Sequence, residues 1–349
     1  MTEENSTASQ LPVAMTTAGV AQITGENTMT PSSSRGAETY FRCALVVIGV
    51  VGTATNGLIL YALVASKRHR KHVLIVNQNA LDLFTSFSMI VTYSLKLCNI
   101  HLTGSTGYWL CALLLSDLLM WCGANGSVIN LASITVERYL KVVHAAWSKN
   151  KLRNWMIYSA AAFSWIGSFI YNAVIVFSTT VVIDGACYAF AVWENYAARI
   201  VGIIYNLVSF YIIILLIFIF CYWRILVVIR RQASVMAAHA AAGPITSQAH
   251  AQAQYHQIQS NVTKTMIFVS AFYAISYLPL YINTLNVILN PDRIIVQLYY
   301  YAALFIAYLY TCTNPFVYAT KFDPVKEVLL RLIRCNKNTG QEEAIGNVT

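Results

Sequence analysis

Long apolar segments alternate with short polar ones along most of the chain. Seven segments are apolar over the roughly 20 residues that a helix needs to cross the hydrocarbon core of a bilayer. We number them spans 1 to 7 and place them at residues 41–66, 73–97, 108–140, 154–180, 198–229, 262–289 and 295–319. Because a helix satisfies its own backbone hydrogen bonds in lipid, each segment predicts a transmembrane helix.

Polar segments flank these spans. Residues 1–40 are rich in Ser and Thr and lack the apolar core of a signal peptide, so they predict a disordered extracellular N-terminus. Residues 41–319 predict a membrane domain with seven spans, residues 320–335 a short amphipathic eighth helix, and residues 336–349 a cytoplasmic tail.

Composition agrees with an all-α membrane protein. Only 11% of the 349 residues are charged and 57% are hydrophobic, whereas soluble domains carry about 25% charged residues. Of the 23 Lys and Arg residues, 18 fall on one side of the predicted membrane. The five on the opposite side are Arg35, Arg42, Lys96, Arg199 and Arg293. The positive-inside rule therefore predicts a multi-pass plasma-membrane protein whose N-terminus is extracellular and whose C-terminus is cytoplasmic.

The formal net charge of +9 reflects this topology and does not indicate nucleic-acid binding, because the basic residues are scattered over several loops. Metalloprotease, P-loop and dinucleotide-binding fingerprints are absent from the sequence. We therefore expect neither an enzyme nor a cofactor, apart from the sodium ion considered below.

Two polar motifs interrupt the apolar pattern. They are Glu137-Arg138-Tyr139 at the end of span 3 and Asn314-Pro315-Phe316-Val317-Tyr318 at the end of span 7. A Glu-Arg pair closing an apolar helix is costly unless it lies at the membrane interface or has a function there. A proline inside a helix removes a backbone hydrogen bond and produces a kink. The two motifs together indicate a receptor that signals by helix movement.

A carboxyl group within span 2, four cysteines and one asparagine suggest further functional or modified sites. Asp82 lies in the middle of an apolar span, so its carboxyl group must be protonated, hydrogen-bonded or paired with a cation. Cys98, Cys111 and Cys187 fall on the oxidising outer side, where a disulfide can form. Asn5 begins a glycosylation sequon on that side. Cys335 ends the basic segment after span 7 and is either palmitoylated or a free thiol.

The ordered landmarks resemble those of the rhodopsin-like (class A) G-protein-coupled receptors over about residues 40–335. The landmarks are Asn56, Asp82, Cys111, Glu137-Arg138-Tyr139, Trp165, Cys187, Tyr222, Pro279 and Asn314-Pro315-x-x-Tyr318. The resemblance implies that a small-molecule or peptide ligand binds from outside and that the chain activates a heterotrimeric G protein inside. It also implies a disulfide between Cys111 and Cys187.

Further roles follow from the same resemblance. Residues implied to switch and couple to the G protein are Glu137, Arg138, Tyr139, Tyr222, Asn314, Pro315 and Tyr318. A hinge in span 6 is implied at Tyr277 and Pro279. The implied ligand-binding residues are Asp117, Met120, Trp121, Tyr277, Tyr281 and Tyr308. A structural sodium ion is implied at Asp82, Ser127, Thr311 and Asn314, and the alternative is a neutral Asp82 in a water network.

Several positions depart from the family pattern. The interval from Cys111 to Arg138 is longer than usual, so the position of the amine counter-ion falls on Met120 when counted back from Arg138 and within one residue of Asp117 when counted forward from Cys111. Asp117 is therefore either a counter-ion for a ligand amine, a hydrated aspartate at the rim, or a partner of Lys96.

Two other departures bear on function. Gln259 stands where many members have an acid facing the arginine of span 3, which predicts a missing ionic lock and raised basal activity. Residues 295–319 contain no lysine, and Tyr308 stands where opsins have the lysine that binds retinal, so the chain is not a photoreceptor.

Two rival functions remain open at this point. A transporter or ion channel would use Asp82 and Asp117 as an ion path, although no internal repeat is found in the sequence. A constitutively active or ligandless receptor is the other alternative, because the lock is missing.

Overall fold

The computed structural model describes residues 31–66, 72–190, 196–241, 247–289 and 297–321, together with residues 326, 328, 330 and 331. Within these residues, all seven predicted spans are helical. Their bounds are Pro31–Ala65 for span 1, Val73–Leu97 for span 2, Gly104–Leu110 and Leu118–Val143 for span 3, Asn154–Thr179 for span 4, Tyr196–Leu207 and Ile213–Ala241 for span 5, Ser247–Leu289 for span 6, and Gln297–Lys321 for span 7. A short helix, Ala145–Lys151, joins spans 3 and 4.

Some boundaries differ from the predicted ones. Span 1 begins at Pro31, ten residues before the predicted start, so the end of the predicted extracellular segment is helical. In the described residues, six helices are long and apolar enough to cross a membrane by composition alone. Span 7 is not among these six; its described part contains five tyrosines between Tyr299 and Tyr310 as well as Asn314 and Pro315, all of which are less apolar than aliphatic residues. It nevertheless packs against spans 1 and 6 and completes the bundle of seven helices.

Other predictions stay untested. Most of residues 320–335 lie outside the described part of the chain, so the amphipathic eighth helix stays a prediction. Asn5 and Cys335 also lie outside the described part of the chain, so glycosylation of Asn5 and palmitoylation of Cys335 stay predictions.

Span 3 is the central helix of the bundle and contacts spans 2, 4, 5 and 6. Two glycines allow this close packing. A Cβ atom on Gly123 would lie 2.2 Å from Oγ1 of Thr85 on span 2, and one on Gly126 would lie 2.8 Å from the carbonyl oxygen of Ser164 on span 4. Small residues of this kind let helix backbones approach one another in membranes.

The polarity of the bundle is that of a membrane protein. Large apolar side chains are more than half exposed on the outer surface, as at Val47, Leu216, Ile219 and Phe268. Polar side chains are completely buried in the interior, among them Asn56, Gln78, Asp82, Asn130 and Asn314. Lipid solvates the apolar exterior, whereas the interior amides and the carboxylate need protein partners.

Span 3 is not the continuous α-helix predicted over 108–140. Residues Cys111–Leu115 form a wide π-type turn, and Asp117 adopts the left-handed conformation (φ 63°) before the helix resumes at Leu118. Such turns absorb extra residues within a helix. This break accounts for the long interval between Cys111 and Arg138, because the additional length lies in the turn. A similar turn, Val208–Ile212, interrupts span 5.

A β-hairpin lies in the loop between spans 4 and 5. Strands β1 (Val181–Ile183) and β2 (Ala186–Tyr188) pair antiparallel, with Val182 opposite Cys187. Asp184 (φ 49°) and Gly185 (φ 76°) form the two-residue turn, and positive φ at both positions is the type I′ geometry that Asp-Gly favours. This hairpin was not predicted from the sequence, although Asp-Gly between two short apolar runs is a recognised hairpin signal.

Candidate ligand-binding and signalling sites

A cavity of about 220 Å³ opens between the outer halves of spans 3 to 7. Its aromatic wall is formed by Trp121, Tyr171, Tyr281 and Tyr300. Phe190, just after the hairpin, lies at the same cavity. The volume is below the roughly 300 Å³ at which pockets for drug-sized ligands begin. The cavity therefore has room for a small ligand or for one end group of a larger ligand.

Asparagine side chains from three spans meet in the wall of this cavity. Nδ2 of Asn125 on span 3 donates to Oδ1 of Asn172 on span 4 (3.2 Å). Nδ2 of Asn206 on span 5 donates to the hydroxyl of Tyr171 (3.0 Å). None of the described residues that line the cavity is charged. The wall therefore offers uncharged donors and acceptors beside aromatic rings.

The predicted ligand-binding residues occupy different places in the structure. Trp121 and Tyr281 line the cavity. Tyr308 lies behind Trp121, with 5.7 Å between the ring centroids, and it is buried in an apolar cluster of spans 1, 2, 3 and 7 that also contains Met120. Tyr277 is buried deeper in span 6, with its ring centroid 6.4 Å from that of Tyr281.

Asp117 forms an ion pair at the outer rim. Its Oδ1 atom lies 2.7 Å from Nζ of Lys96, and both side chains are about one-fifth exposed. Nη1 of Arg42 donates to the backbone carbonyl of Lys96 (2.6 Å), which joins span 1 to the same cluster. The pairing with Lys96, one of the three interpretations of Asp117, is present in the structure; the roles as a ligand counter-ion and as a hydrated aspartate stay predictions.

The three asparagines of the cavity were not among the residues predicted to bind the ligand. The available signal was an amide within an apolar span, which is costly without a partner. Many buried amides share this signal, so only the rotation of each helix identifies those that meet at the cavity.

Span 6 contains Pro279 within a helix of 43 residues. A proline at this position leaves the carbonyl of the preceding turn without its helical donor. The hydroxyl of Tyr211 on span 5 donates to the neighbouring carbonyl of Ala274 (3.0 Å), and Tyr277 packs against Tyr310 of span 7 (6.1 Å between centroids). Side chains of two other spans thus support the helix around the predicted hinge.

The carboxylate of Asp82 is hydrogen-bonded on both oxygens. Oγ of Ser127 donates to Oδ1 (2.7 Å) and Nδ2 of Asn314 donates to Oδ2 (2.6 Å). Nε2 of Gln78 lies 3.5 Å from Oδ2. The hydroxyl of Thr311, predicted to share the site, instead donates to a backbone carbonyl of its own helix (2.8 Å). The structure thus satisfies Asp82 by hydrogen bonds, one of the three options that the sequence left open.

At the cytoplasmic end, Glu137 holds two basic side chains. Its Oε2 atom lies 3.7 Å from Nη2 of Arg138, and its Oε1 atom lies 2.5 Å from Nζ of Lys141. Arg138 is 4% exposed, and its Nε–H has no hydrogen-bond partner in the described part of the chain. The hydroxyl of Tyr139 contacts Nε2 of His144 (3.1 Å). The buried guanidinium therefore retains unused donor capacity.

Tyr222 connects three spans near this end. Its hydroxyl lies 2.9 Å from Oγ1 of Thr135 on span 3 and 2.9 Å from Oγ of Ser270 on span 6. We refer to Thr135, Tyr222 and Ser270 as the inner latch. The side chains of Gln259 and Tyr318 lie outside the described part of the structure, so their predicted roles stay predictions.

The predicted disulfide is confirmed. Cys111, at the start of the π turn in span 3, is bonded to Cys187 in β2. The bond attaches the hairpin to the outer end of span 3. Cys98, the alternative partner, is a free, exposed thiol.

Comparison with known proteins decides the family. The family model of the 7 transmembrane receptor (rhodopsin family) matches residues 55–318. The chain belongs to this receptor family. Its sequence is 24% identical over 315 residues to neuropeptide Y receptor type 2 of Cavia porcellus, and the match covers 84% of this chain and 75% of the relative. The same receptor of Bos taurus is 25% identical over 320 residues, with 84% and 75% covered.

The fold agrees with this membership. The structure of squid rhodopsin superposes with a TM-score of 0.72 at 16% sequence identity, covering 88% of each chain. As a member of the rhodopsin family, the chain is a receptor that couples binding of an extracellular ligand to a G protein. The prediction that it is not an enzyme is confirmed by this membership, and nothing in the comparisons supports the transporter alternative.

Proposed function

We propose that this receptor acts at the plasma membrane, with its N-terminus outside, and that its ligand is a peptide that places one uncharged end group in the outer cavity. The named relatives are receptors for a neuropeptide, and their likeness to this chain supports a peptide over an amine. The observation that carries the proposal is the cavity itself, which presents asparagines and aromatic rings but, among its described lining residues, no carboxylate.

The amide groups of the cavity suit a peptide-like partner. Asparagine side chains both donate and accept hydrogen bonds, so they complement a backbone or terminal amide. An ammonium group would need a counter-ion, and the nearby carboxylate of Asp117 is already paired with Lys96. The small volume supports entry of an end group, with the rest of the ligand lying over the hairpin that is tethered by Cys187.

The ligand acts through span 6. Leu280, Tyr281 and Thr284 lie at the cavity just outside Pro279, whereas Ser270 lies on the cytoplasmic side of the same proline. A ligand that binds better when span 6 has moved outward shifts the population towards that state. Movement of span 6 opens the inner latch at Ser270. The released hydroxyl of Tyr222 then supports Arg138 in an extended position, where its guanidinium binds carbonyl groups of the G protein.

Cell signalling tests this function. We would express the chain and measure cAMP and calcium with neuropeptide Y as the peptide probe and tyramine as the amine probe. We expect a response to the peptide and none to the amine. Asn206→Leu removes one cavity amide and should weaken the peptide response about tenfold, whereas Asp117→Asn should change it by less than about threefold.

The results of these assays test the G protein coupling mechanism and the class of ligand separately. Arg138→Ala should abolish the response while leaving surface expression unchanged. Retained signalling in Arg138→Ala would refute the proposed coupling mechanism. A response to tyramine that is lost in Asp117→Asn would refute the peptide assignment but leave the receptor function intact. Unstimulated output that Arg138→Ala abolishes, with no response to either probe, would point to a constitutively active receptor.

A further inference from the structure

A chain of hydrogen-bonded side chains crosses the centre of the bundle from span 4 to span 2. Nε1 of Trp165 donates to Oδ1 of Asn77 (2.8 Å), and Nδ2 of Asn77 donates to Oδ1 of Asn130 on span 3 (2.8 Å). Nδ2 of Asn130 in turn donates to Oε1 of Gln78 (2.8 Å). Asn130 and Gln78 are completely buried.

This series of hydrogen bonds ends at the carboxylate of Asp82. Nε2 of Gln78 donates to the hydroxyl of Ser127 and also points towards Oδ2 of Asp82 (3.5 Å). The hydroxyl of Ser127 passes the chain on to Oδ1 of Asp82 (2.7 Å). Gln78 is therefore the last amide before the charged group.

The direction of these hydrogen bonds is set by Trp165, because its indole can only donate. The oxygen of Asn77 accepts from Trp165, which leaves the N–H groups of Asn77, Asn130 and Gln78 to donate in turn towards Asp82. Asn77 also donates to the hydroxyl of Ser164 (3.0 Å), and Asn130 also donates to the carbonyl of Leu74 (2.9 Å). Gln78 cannot turn its oxygen towards Asp82 without losing the hydrogen bond from Asn130.

This orientation conflicts with a sodium ion at Asp82. Hard cations bind oxygen ligands, but Gln78 and Asn314 both direct N–H groups at the carboxylate. Thr311 directs its hydroxyl at its own backbone. Gly123 contributes no polar side chain, and Thr85 fills the space in which one would lie. In this arrangement N–H groups rather than oxygen ligands face Oδ2 of Asp82. The buried oxygen of Asn314, which has no partner among the described residues, belongs to the amide whose N–H group already donates to that atom. The orientation of the two amides therefore does not fit the ion.

We propose that the amide of Gln78 takes the place of a sodium ion at Asp82, so that the closed state of this receptor is independent of sodium. The amide of Gln78 presents hydrogen atoms with partial positive charge to the carboxylate of Asp82 and to its partner Ser127. The hydrogen bonds that begin at Trp165 hold this amide in its orientation. Gln78 acts on the carboxylate mainly through Ser127, whose hydroxyl accepts from Gln78 and donates to Oδ1 of Asp82 (2.7 Å), and more weakly through its own N–H group 3.5 Å from Oδ2. Hydrogen bonds to a charged group are stronger than those between neutral groups. A fixed internal donor thus replaces a diffusible ion.

Thermal unfolding of the purified full chain tests this proposal. We would measure the Tm in sodium chloride and in choline chloride at equal ionic strength. The wild type should have the same Tm in both salts. Gln78→Leu removes the N–H donor with little change in side-chain size, so sodium at about ten times its Kd should raise the Tm of this variant by roughly 3 °C. The added substitution Asp82→Asn should abolish that rise.

Two further variants distinguish this role from a merely structural one. Asn79→Leu is the matched control, because Asn79 is also buried on span 2 but donates only to a carbonyl of its own helix (2.9 Å); it should create no sodium dependence. Trp165→Phe removes the first donor of the chain and should produce a smaller sodium-dependent rise in Tm. If Gln78→Leu does not fold, the sodium dependence of the Tm of Trp165→Phe still tests the proposal.

Two results would overturn the proposal. The first is a wild-type Tm that rises with sodium as much as that of Gln78→Leu. The second is the absence of a sodium response in every folded variant among Gln78→Leu and Trp165→Phe, since the amide would then not be what excludes the ion.

Discussion

Replacing Ser270 by Ala removes the hydroxyl through which Tyr222 on span 5 holds span 6. The two oxygens lie 2.9 Å apart, and both side chains are buried. The substitution leaves the second hydrogen bond of Tyr222, to Thr135 on span 3, in place. It therefore tests only the connection that must open when span 6 moves.

The size of the effect follows from a single hydrogen bond. A buried bond of this kind contributes about 1 kcal/mol net. If the bond exists only in the closed state, its loss raises the ratio of open to closed receptor about fivefold, since RT is about 0.59 kcal/mol. While the open state is the minor one, unstimulated G protein activation should rise by the same factor.

Nucleotide exchange by a purified G protein, measured with equal amounts of each receptor and no ligand, gives this number directly. Thr265→Val is the matched control, because Thr265 is buried on the same span but donates to a carbonyl of its own helix (2.9 Å). Tyr222→Phe should not raise the exchange rate, since it also removes the hydroxyl proposed to support Arg138. A rate for Ser270→Ala equal to that of wild type would refute the latch.

Two more predictions concern stability. Cys187→Ser opens the covalent link that closes a loop of 76 residues and should destabilise the receptor by about 4 kcal/mol in the chain-entropy model; thermal unfolding with and without reductant measures this, and a reductant-insensitive wild-type Tm equal to that of the variant would contradict it. Gly123→Ala places a Cβ atom 2.2 Å from a hydroxyl of span 2 and should cost about 1–3 kcal/mol. Gly57→Ala meets no atom within 4 Å, so its Tm should not fall.

Sequence reasoning identified the family because its landmarks depend on order along the chain. Apolar length predicts a span, and basic loops predict orientation, without any knowledge of helix rotation. The Glu-Arg motif, the Asn-Pro motif and the two cysteines then occur on definite spans in a definite order. Matching them requires no three-dimensional coordinate, and the disulfide between Cys111 and Cys187 is present as expected.

The ligand site was less accessible to the same reasoning. The position of Asp117 depended on how the extra residues of span 3 are absorbed, and a π turn followed by a left-handed residue cannot be read from hydropathy. Met120 points into the apolar cluster with Tyr308, while Trp121 lines the cavity. Adjacent residues on a helix are rotated by about 100°, so a local change in pitch reassigns every side chain beyond it.

The sequence alone identified this chain as a seven-span receptor of the rhodopsin family and predicted on which side of the membrane its termini and motifs lie. Those properties follow from composition and order. Only the tertiary structure decided which amides meet at the outer cavity, that Tyr222 bridges Thr135 and Ser270, and that Gln78 directs its N–H group at Asp82. The physical reason is that hydrogen-bond partners on different helices are set by the rotation and spacing of packed helices, which no single segment encodes.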